Sequence, residues 1–321
     1  MAIAMGIGIP GLIFTVAEKI VPVTELSPQQ TTIMTIPTET VIEDATDPNI
    51  VIPVLMTDGA VLNMNLETYL VGVLLGEMPM DFHSEAIKAQ AVVARTYALK
   101  RMMSGNKHPS GGVCVDASCC QAYCDAGSYI AGGGTQDSVD KAIAAVAETE
   151  GQVLLYNGKL IEATYFSCSG GRTEDAVAVW GNDIPYLQAV DSPGEENATY
   201  YTETVKFSSK EFAERLGISQ KGLPATWLGA VTYTTGGGVD TMMIGGISFR
   251  GTLLRQKLDL RSTAFSVTAI GDTVYITTKG FGHRVGMSQY GADAMALRGD
   301  DFQNILAHYY PGTSLNLYSQ N

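Results

Sequence analysis

The run SEAIKAQAVVARTYALKRMM, residues 84–103, is rich in Ala and in unbranched side chains that lose little freedom in a helix. Ser84 stands ready as an N-cap and Gly105 as a stop, so the run predicts a helix. Within it Lys88 and Arg95 are seven residues apart, close to two turns, which puts both cations on one face with Ala91 and Val92. Just upstream, Gly76-Glu77-Met78-Pro79 closes a nearly uncharged stretch. Burial among Leu74, Leu75 and Met78 would hold the Glu77 carboxyl toward its neutral form, as a proton donor near neutral pH requires. A helix-terminal Glu facing water is the plainer reading of the same position.

Further along the chain the pattern changes to strands. Gln152–Tyr156 and Lys159–Phe166 flank Asn157-Gly158, a strong hairpin signal, and Phe265–Thr278 alternates around Gly271-Asp272. Ser208 or Ser209 caps a short helix through Leu216. Helices early and paired strands late predict an α+β fold, in which a helical part carrying Glu77 packs with a mostly antiparallel β part and a cleft lies between two lobes. The glycine clusters at 132–134 and 236–238 lack the strand-to-helix setting of a phosphate loop, and Gly280-Phe281-Gly282 is not a dinucleotide fingerprint. No nucleotide is expected.

The chain has 321 residues, is 45% hydrophobic and carries a net charge of −13, so it can bury a sizeable core but would repel nucleic acid. Residues 1–17 hold no charge. They sit at the lower limit of a membrane span and lack the features of a complete secretory signal, so residues 1–22 read as a membrane anchor or signal anchor. The Thr- and Pro-rich stretch 23–50 reads as an extracytoplasmic linker, with the folded domain over 51–321.

Three motifs carry a resemblance to a known family. Residues 66–102 (LETYLVGVLLGEMPMDFHSEAIKAQAVVARTYALKRM), Phe166-Ser167-Cys168-Ser169-Gly170-Gly171 followed by Thr173 and Glu174, and Gly280-Phe281-Gly282-His283-Arg284-Val285-Gly286-Met287-Ser288-Gln289-Tyr290-Gly291-Ala292 resemble, in that order, the SpoIID (stage II sporulation protein D) family. Arg284 stands where the family leads one to expect Gly. The resemblance implies a lytic transglycosylase that cuts peptidoglycan glycan strands during sporulation engulfment, with Glu77 as acid and base and Lys88 and Arg95 lining the cleft. It also implies membrane attachment through the N-terminal helix, a catalytic domain in the space between mother cell and forespore, and stage II sporulation proteins P and M as partners. A non-catalytic wall-binding amidase enhancer and a zinc-dependent amidase remain as alternatives.

Sugar hydroxyls and acetamides call for neutral donors and acceptors, which makes Gln289, Ser167, Ser169 and Thr173 candidate substrate contacts. His283 lies among glycines that let a ligand approach the backbone closely, and Tyr97 and Tyr186 are candidates to stack on a sugar ring.

Four of the five cysteines fall within Cys114–Cys124, and an odd number cannot all pair within one chain. Outside a membrane disulfides are the default, with a metal as the alternative. His108, Cys114 and Cys120 are spaced evenly by six and suit Zn2+, with a fourth ligand from water, Glu77 or another thiol. Relatives in the family that carry such a His and Cys pair bind zinc, so the resemblance implies it here. In a strand-like loop the Cys119 side chain would point away from that of Cys120, outside the site. Cys168 reads as a small core residue.

Overall fold

In the computed structural model, which describes residues 50–319 except Asn106, Pro109, Ser110 and Gln220, the Ala-rich run does form a long helix. The anchor expected over 1–22 and nearly all of the linker lie outside the described residues, which belong to one compact unit, Ala45–Asn321. Among them no helix is long and apolar enough to cross a membrane.

The described chain starts as an antiparallel pair, β1 (Val51–Leu55) and β2 (Val61–Asn65). Asn65 then caps α1 (Leu66–Glu77) by accepting the Thr68 N–H at 3.1 Å. The long helix is α2 (Ser84–Ser104). Its cap is His83 rather than Ser84: the backbone there is extended, and Nδ1 takes the Glu85 N–H at 3.3 Å. Gly105 ends the helix as expected, at φ 62°, a left-handed conformation that glycine adopts without strain.

Beyond α2 come β3 (Val113–Cys114), parallel to β1, then α3 (Ala126–Ala131) and α4 (Gln136–Glu148). The seven-residue spacing of Lys88 and Arg95 does put them on one face, but that face packs on α1 and α4. Arg95 is fully buried, and its guanidinium forms a two-point ion pair with Glu67 at 2.6 and 2.8 Å. It also donates to the Val146 and Gln152 carbonyls. Lys88 lies between Glu85 at 2.7 Å and Glu148 at 2.5 Å. Both cations therefore join helices, and neither is available to a substrate.

The Asn157-Gly158 hairpin forms between β4 (Gln152–Tyr156) and β5 (Lys159–Leu160), with both turn residues at positive φ. The second strand stops six residues short of the predicted end. From Thr164 onward the backbone bonds instead to the C-terminal motif, and β6 (Tyr165–Phe166) pairs in parallel with β13 (Met287–Ser288). After the short helix α5 (Ala176–Trp180) the chain still contributes Leu187 to this core before it leaves near residue 202.

Residues 202–279 build a separate hydrophobic core. Here β7 (Thr202–Ser208) leads into α6 (Ser209–Leu216), capped by Ser208, and then β8 (Leu228–Tyr233), β9 (Val239–Ile244) and β10 (Ile247–Arg250) form one antiparallel sheet. After α7 (Gly251–Leu258), the hairpin β11 (Phe265–Ile270) and β12 (Thr273–Lys279) adds to β7 in a second antiparallel sheet. The C-terminal motif then returns to the first core through α8 (Gln289–Leu297), α9 (Phe302–Tyr309) and β14 (Ser314–Leu317), which pairs with β4. The fold is α+β, with mostly antiparallel sheets.

Arg284 clasps the two cores. Its backbone holds φ 67°, which explains the expectation of glycine there, and its buried guanidinium donates to the carbonyls of Ser169, Arg172 and Gly236 at 2.7–2.8 Å. Glu174, buried 3.8 Å from Arg284, accepts from Thr234 Oγ1 and the Gly236 N–H in the β8–β9 turn.

The Arg95 pair makes a prediction about stability. Arg95→Ala strands Glu67, the Val146 carbonyl in the last turn of α4 and the Gln152 carbonyl at the start of the hairpin, and because Glu67 keeps some contact with water the cost falls at the lower end for a broken buried pair, about 3 kcal/mol. Chemical denaturation checks it: a loss under about 0.5 kcal/mol, the range of ordinary surface changes, would contradict the assignment.

Candidate active site

Glu77 is the last residue of α1, and its carboxylate turns into a cleft of about 530 Å³. The Ala122 N–H donates to Oε1 at 2.6 Å and the Tyr165 hydroxyl donates to the same oxygen at 3.0 Å. With both donors on Oε1, the proton of the acid form belongs on Oε2. Burial raises the carboxyl above the usual carboxylate range, against the pull of these donors, which agrees with the sequence expectation. Tyr165 is raised far higher by burial and by the Glu77 charge beside it, so it stays a neutral donor.

Glycines in α1 make this geometry possible. A Cβ at Gly76 would lie 2.8 Å from the Tyr123 nitrogen and 2.9 Å from the Ala122 carbonyl carbon, and a Cβ at Gly72 would clash with the Tyr123 ring. Without side chains at both positions, the 122–123 backbone lies flat against the last turns of the helix and aims its N–H at Glu77. A chain of buried groups continues from there. Gln121 Nε2 donates to the Tyr165 hydroxyl at 3.3 Å, and the Tyr69 hydroxyl donates to Gln121 Oε1 at 3.4 Å.

Among the described residues, Glu77 is the only carboxylate that lines the cleft. Tyr97, Ser167, His283 and Gln289 also line it, as the sequence suggested. Gln289 Nε2 donates to the Glu77 carbonyl at 3.2 Å, so it fixes the acid's backbone as well as facing the cleft. His283 lies between Phe166 and Trp180, with ring centroids at 5.7 and 5.3 Å, and Nδ1 accepts the Val285 N–H. Burial, assisted by the Arg255 charge, pushes its imidazole down to about 4, so it is uncharged at neutral pH.

Four expected contacts lie elsewhere or face away. Lys88 and Arg95 are spent between helices, as described. Ser169 and Thr173 are fully buried: Ser169 Oγ donates to Glu195 at 2.8 Å, and Thr173 Oγ1 exchanges hydrogen bonds with the Val190 backbone. Tyr186 is a fifth departure, for its hydroxyl accepts the Glu162 N–H at 3.0 Å and its ring packs on Tyr156. The cations of the cleft are Arg101 and Lys107. Arg101 stacks over Tyr97 at 4.9 Å and pairs with Glu162 at 2.8 Å, while Lys107 donates to the Cys119 carbonyl. The sequence reading missed Arg101, although it lies in the same helix as Arg95, and missed Tyr165, one residue before the Phe166 motif.

The Cys loop borders the cleft and leads directly to Ala122. Ligand atoms of His108, Cys114, Cys119 and Cys120 all lie within 4.8 Å of one another, and His108 Nε2 is 3.3 Å from the Cys120 sulfur and 3.8 Å from that of Cys119. A tetrahedral zinc spaces its ligand atoms by roughly 3.3–3.8 Å, so the donor set fits the metal. Cys119 joins the set, against the expectation that it points away. The backbone here is a tight turn and not a strand: the Cys119 and Cys120 N–H groups both donate to the Asp116 carbonyl, which brings neighbouring thiols to one side. Burial pushes the Cys114 thiol up to about 12. Burial opposes ionisation of Cys120 too, but a backbone hydrogen bond, the His108 contact and the Lys107 charge prevail and lower it to about 7. None of the five cysteines is bonded to another.

A family model described as Stage II sporulation protein (SpoIID) matches residues 57–156, the segment that holds Glu77, α2 and the Cys loop. Stage II sporulation protein D of Bacillus subtilis (strain 168) is 41% identical over 271 residues, covering 83% of this chain and 78% of that protein. Its namesake from Bacillus amyloliquefaciens is 40% identical with the same coverage. An amidase enhancer of Bacillus subtilis (strain 168) is 31% identical over 77% of this chain but only 40% of its own length. The chain belongs to the stage II sporulation protein D family, a family of sporulation proteins.

We propose that these four donors close a tetrahedral zinc site, which predicts how metal and fold respond together. Protein purified without added metal should hold one zinc per chain, and Cys119→Ser should lose it as readily as Cys120→Ser. Chelation should lower the melting temperature, because the ion binds only the folded loop. Elemental analysis decides: full zinc retention in Cys119→Ser, or no zinc in the native protein, would contradict the four-ligand site.

Proposed function

We propose that this chain is a peptidoglycan lytic transglycosylase that cleaves the MurNAc–GlcNAc glycan bond and leaves 1,6-anhydro-MurNAc ends. The observation that carries the reading is a carboxylate that, among the described residues, lines the cleft alone, raised by burial and met by two neutral donors on one oxygen. Hydrolytic glycosidases generally pair two carboxylates, one of them for water or a covalent intermediate. A single acid suffices when the substrate supplies its own nucleophile.

In this mechanism Glu77 Oε2 gives its proton to the bridging oxygen, and the bond from that oxygen to the anomeric carbon of muramic acid breaks. GlcNAc leaves with its new hydroxyl. The Glu77 carboxylate, now stabilised by the Ala122 N–H and the Tyr165 hydroxyl, accepts the proton of the muramic 6-hydroxyl. That oxygen bonds to the anomeric carbon, closing the 1,6-anhydro ring and restoring the acid. Attack within one sugar ring carries the entropic advantage of an intramolecular step. A zinc held by His108, Cys114, Cys119 and Cys120 would have no open position, so its role would be to fix the loop that presents Ala122.

The closed donor set disfavours a zinc amidase. The amidase-enhancer relative favours one other reading, in which the cleft holds wall glycan without cutting it. The family resemblance supports action during engulfment, a membrane anchor over residues 1–22 with the domain outside the membrane, and stage II sporulation proteins P and M as partners.

Mass spectrometry of peptidoglycan fragments tests the proposal. Wild-type protein should release anhydro-muramic ends, and Glu77→Gln should lower the rate by about 10²–10⁴ while remaining folded. Reducing ends, released peptides without glycan cleavage, or more than about a tenth of wild-type activity in Glu77→Gln would overturn it.

A further inference from the structure

Single exposed apolar side chains are ordinary, but a group of them beside a groove marks a binding surface, and three large aromatics lie exposed at the mouth of the cleft. Trp180 is 43% exposed, Phe281 39% and Tyr200 38%. Trp180 and Phe281 line the cleft itself, while Tyr200 packs against Phe281 outside it, with ring centroids 5.1 Å apart. The Arg261 guanidinium lies over both rings, 5.0 Å from the Tyr200 centroid and 5.8 Å from that of Phe281, and is held by Glu203 at 2.8 Å.

The base beneath these rings is rigid. The Gly280 N–H donates to the Tyr201 carbonyl at 2.8 Å, and the Gly282 N–H donates to the Arg261 carbonyl at 3.0 Å. Three separate segments, at 200–203, 261 and 280–282, are thereby tied into one surface that begins inside the cleft and ends at the foot of the β part.

We propose that Tyr200, Phe281 and Arg261 form a further sugar subsite, which holds a neighbouring residue of a β-1,4-linked N-acetylated glycan while another occupies the cleft beside Glu77. This inference rests on the transglycosylase reading and extends it to substrate length. A pyranose ring offers an apolar face of C–H groups that stacks on an aromatic ring, and its hydroxyl and acetamide groups accept from a guanidinium. Arg261 is placed for both purposes, since it braces the rings and carries more donors than its pair with Glu203 consumes. A glycan strand is the occupant favoured over a protein partner, because the surface is continuous with the cleft and pairs aromatic rings with a polar guanidinium.

Calorimetric titration of the Glu77→Gln protein with the trisaccharide and the hexasaccharide of β-1,4-linked N-acetylglucosamine tests this. The hexasaccharide should bind about tenfold more tightly than the trisaccharide. Tyr200→Ala and Arg261→Ala should each remove most of that advantage and leave trisaccharide affinity unchanged, whereas Tyr200→Phe, which keeps the ring, should preserve it. An advantage retained in folded Tyr200→Ala and Arg261→Ala overturns the subsite and leaves the surface to a protein partner. Absence of any oligosaccharide binding also overturns it: if the native protein still yields anhydro ends, the transglycosylase reading survives, and if it does not, both fall.

Discussion

The close approach of the Ala122–Tyr123 backbone to the last turns of α1 is the constraint on which the site depends. Gly72 and Gly76 leave the helix bare on that side, and the Cys124 N–H bonds to the Gly72 carbonyl at 2.9 Å to fix the contact. Tyr123 then lies flat on Tyr69, with rings 5.7 Å apart and nearly parallel. Gln121 is locked between two tyrosine hydroxyls. The Ala122 donor on Oε1 of Glu77 follows from this packing, and Gln121 holds the Tyr165 hydroxyl that is the other donor. A buried acid keeps its donors at short range only when the chain that carries them cannot drift.

Buried charged groups link the second core to the first. Residues 202–279 leave after the Ser-Gly motif and return in the C-terminal motif, and both motifs meet at Arg284 and Glu174. Two sequence signatures over a hundred residues apart thus form one structure. They line the cleft with Phe166, Ser167, Phe281, Gly282 and His283, and the strain of a positive φ at Arg284 is compensated by three carbonyls that only a long guanidinium can reach.

Local features were legible in the sequence. The Ala-rich helix, the Asn-Gly hairpin, the α+β class and the raised Glu77 carboxyl followed from propensity, turn chemistry and burial. Long-range geometry was not legible. Helical periodicity placed Lys88 and Arg95 on one face correctly, but it carries no information about which neighbour that face meets, and carboxylates of α1, α2 and α4 claim both. Alternation assigned Cys119 to the wrong side because a single turn at Asp116 replaces the strand. Tyr165 acts from a two-residue strand whose partner is over a hundred residues away, so nothing near it in the chain marks its role. Gly72 and Gly76 were the one available sign of a close approach, since two glycines in an otherwise apolar helix need a neighbour to explain them.

Glu77 has to carry a proton near neutral pH while two donors hold its other oxygen. A carboxyl carbon NMR titration of the native protein, with Glu77→Gln used to assign the resonance, measures this directly. The account predicts a midpoint above that of ordinary exposed glutamates. A midpoint at or below theirs would mean that the Ala122 and Tyr165 donors outweigh burial, and would contradict Glu77 as the acid.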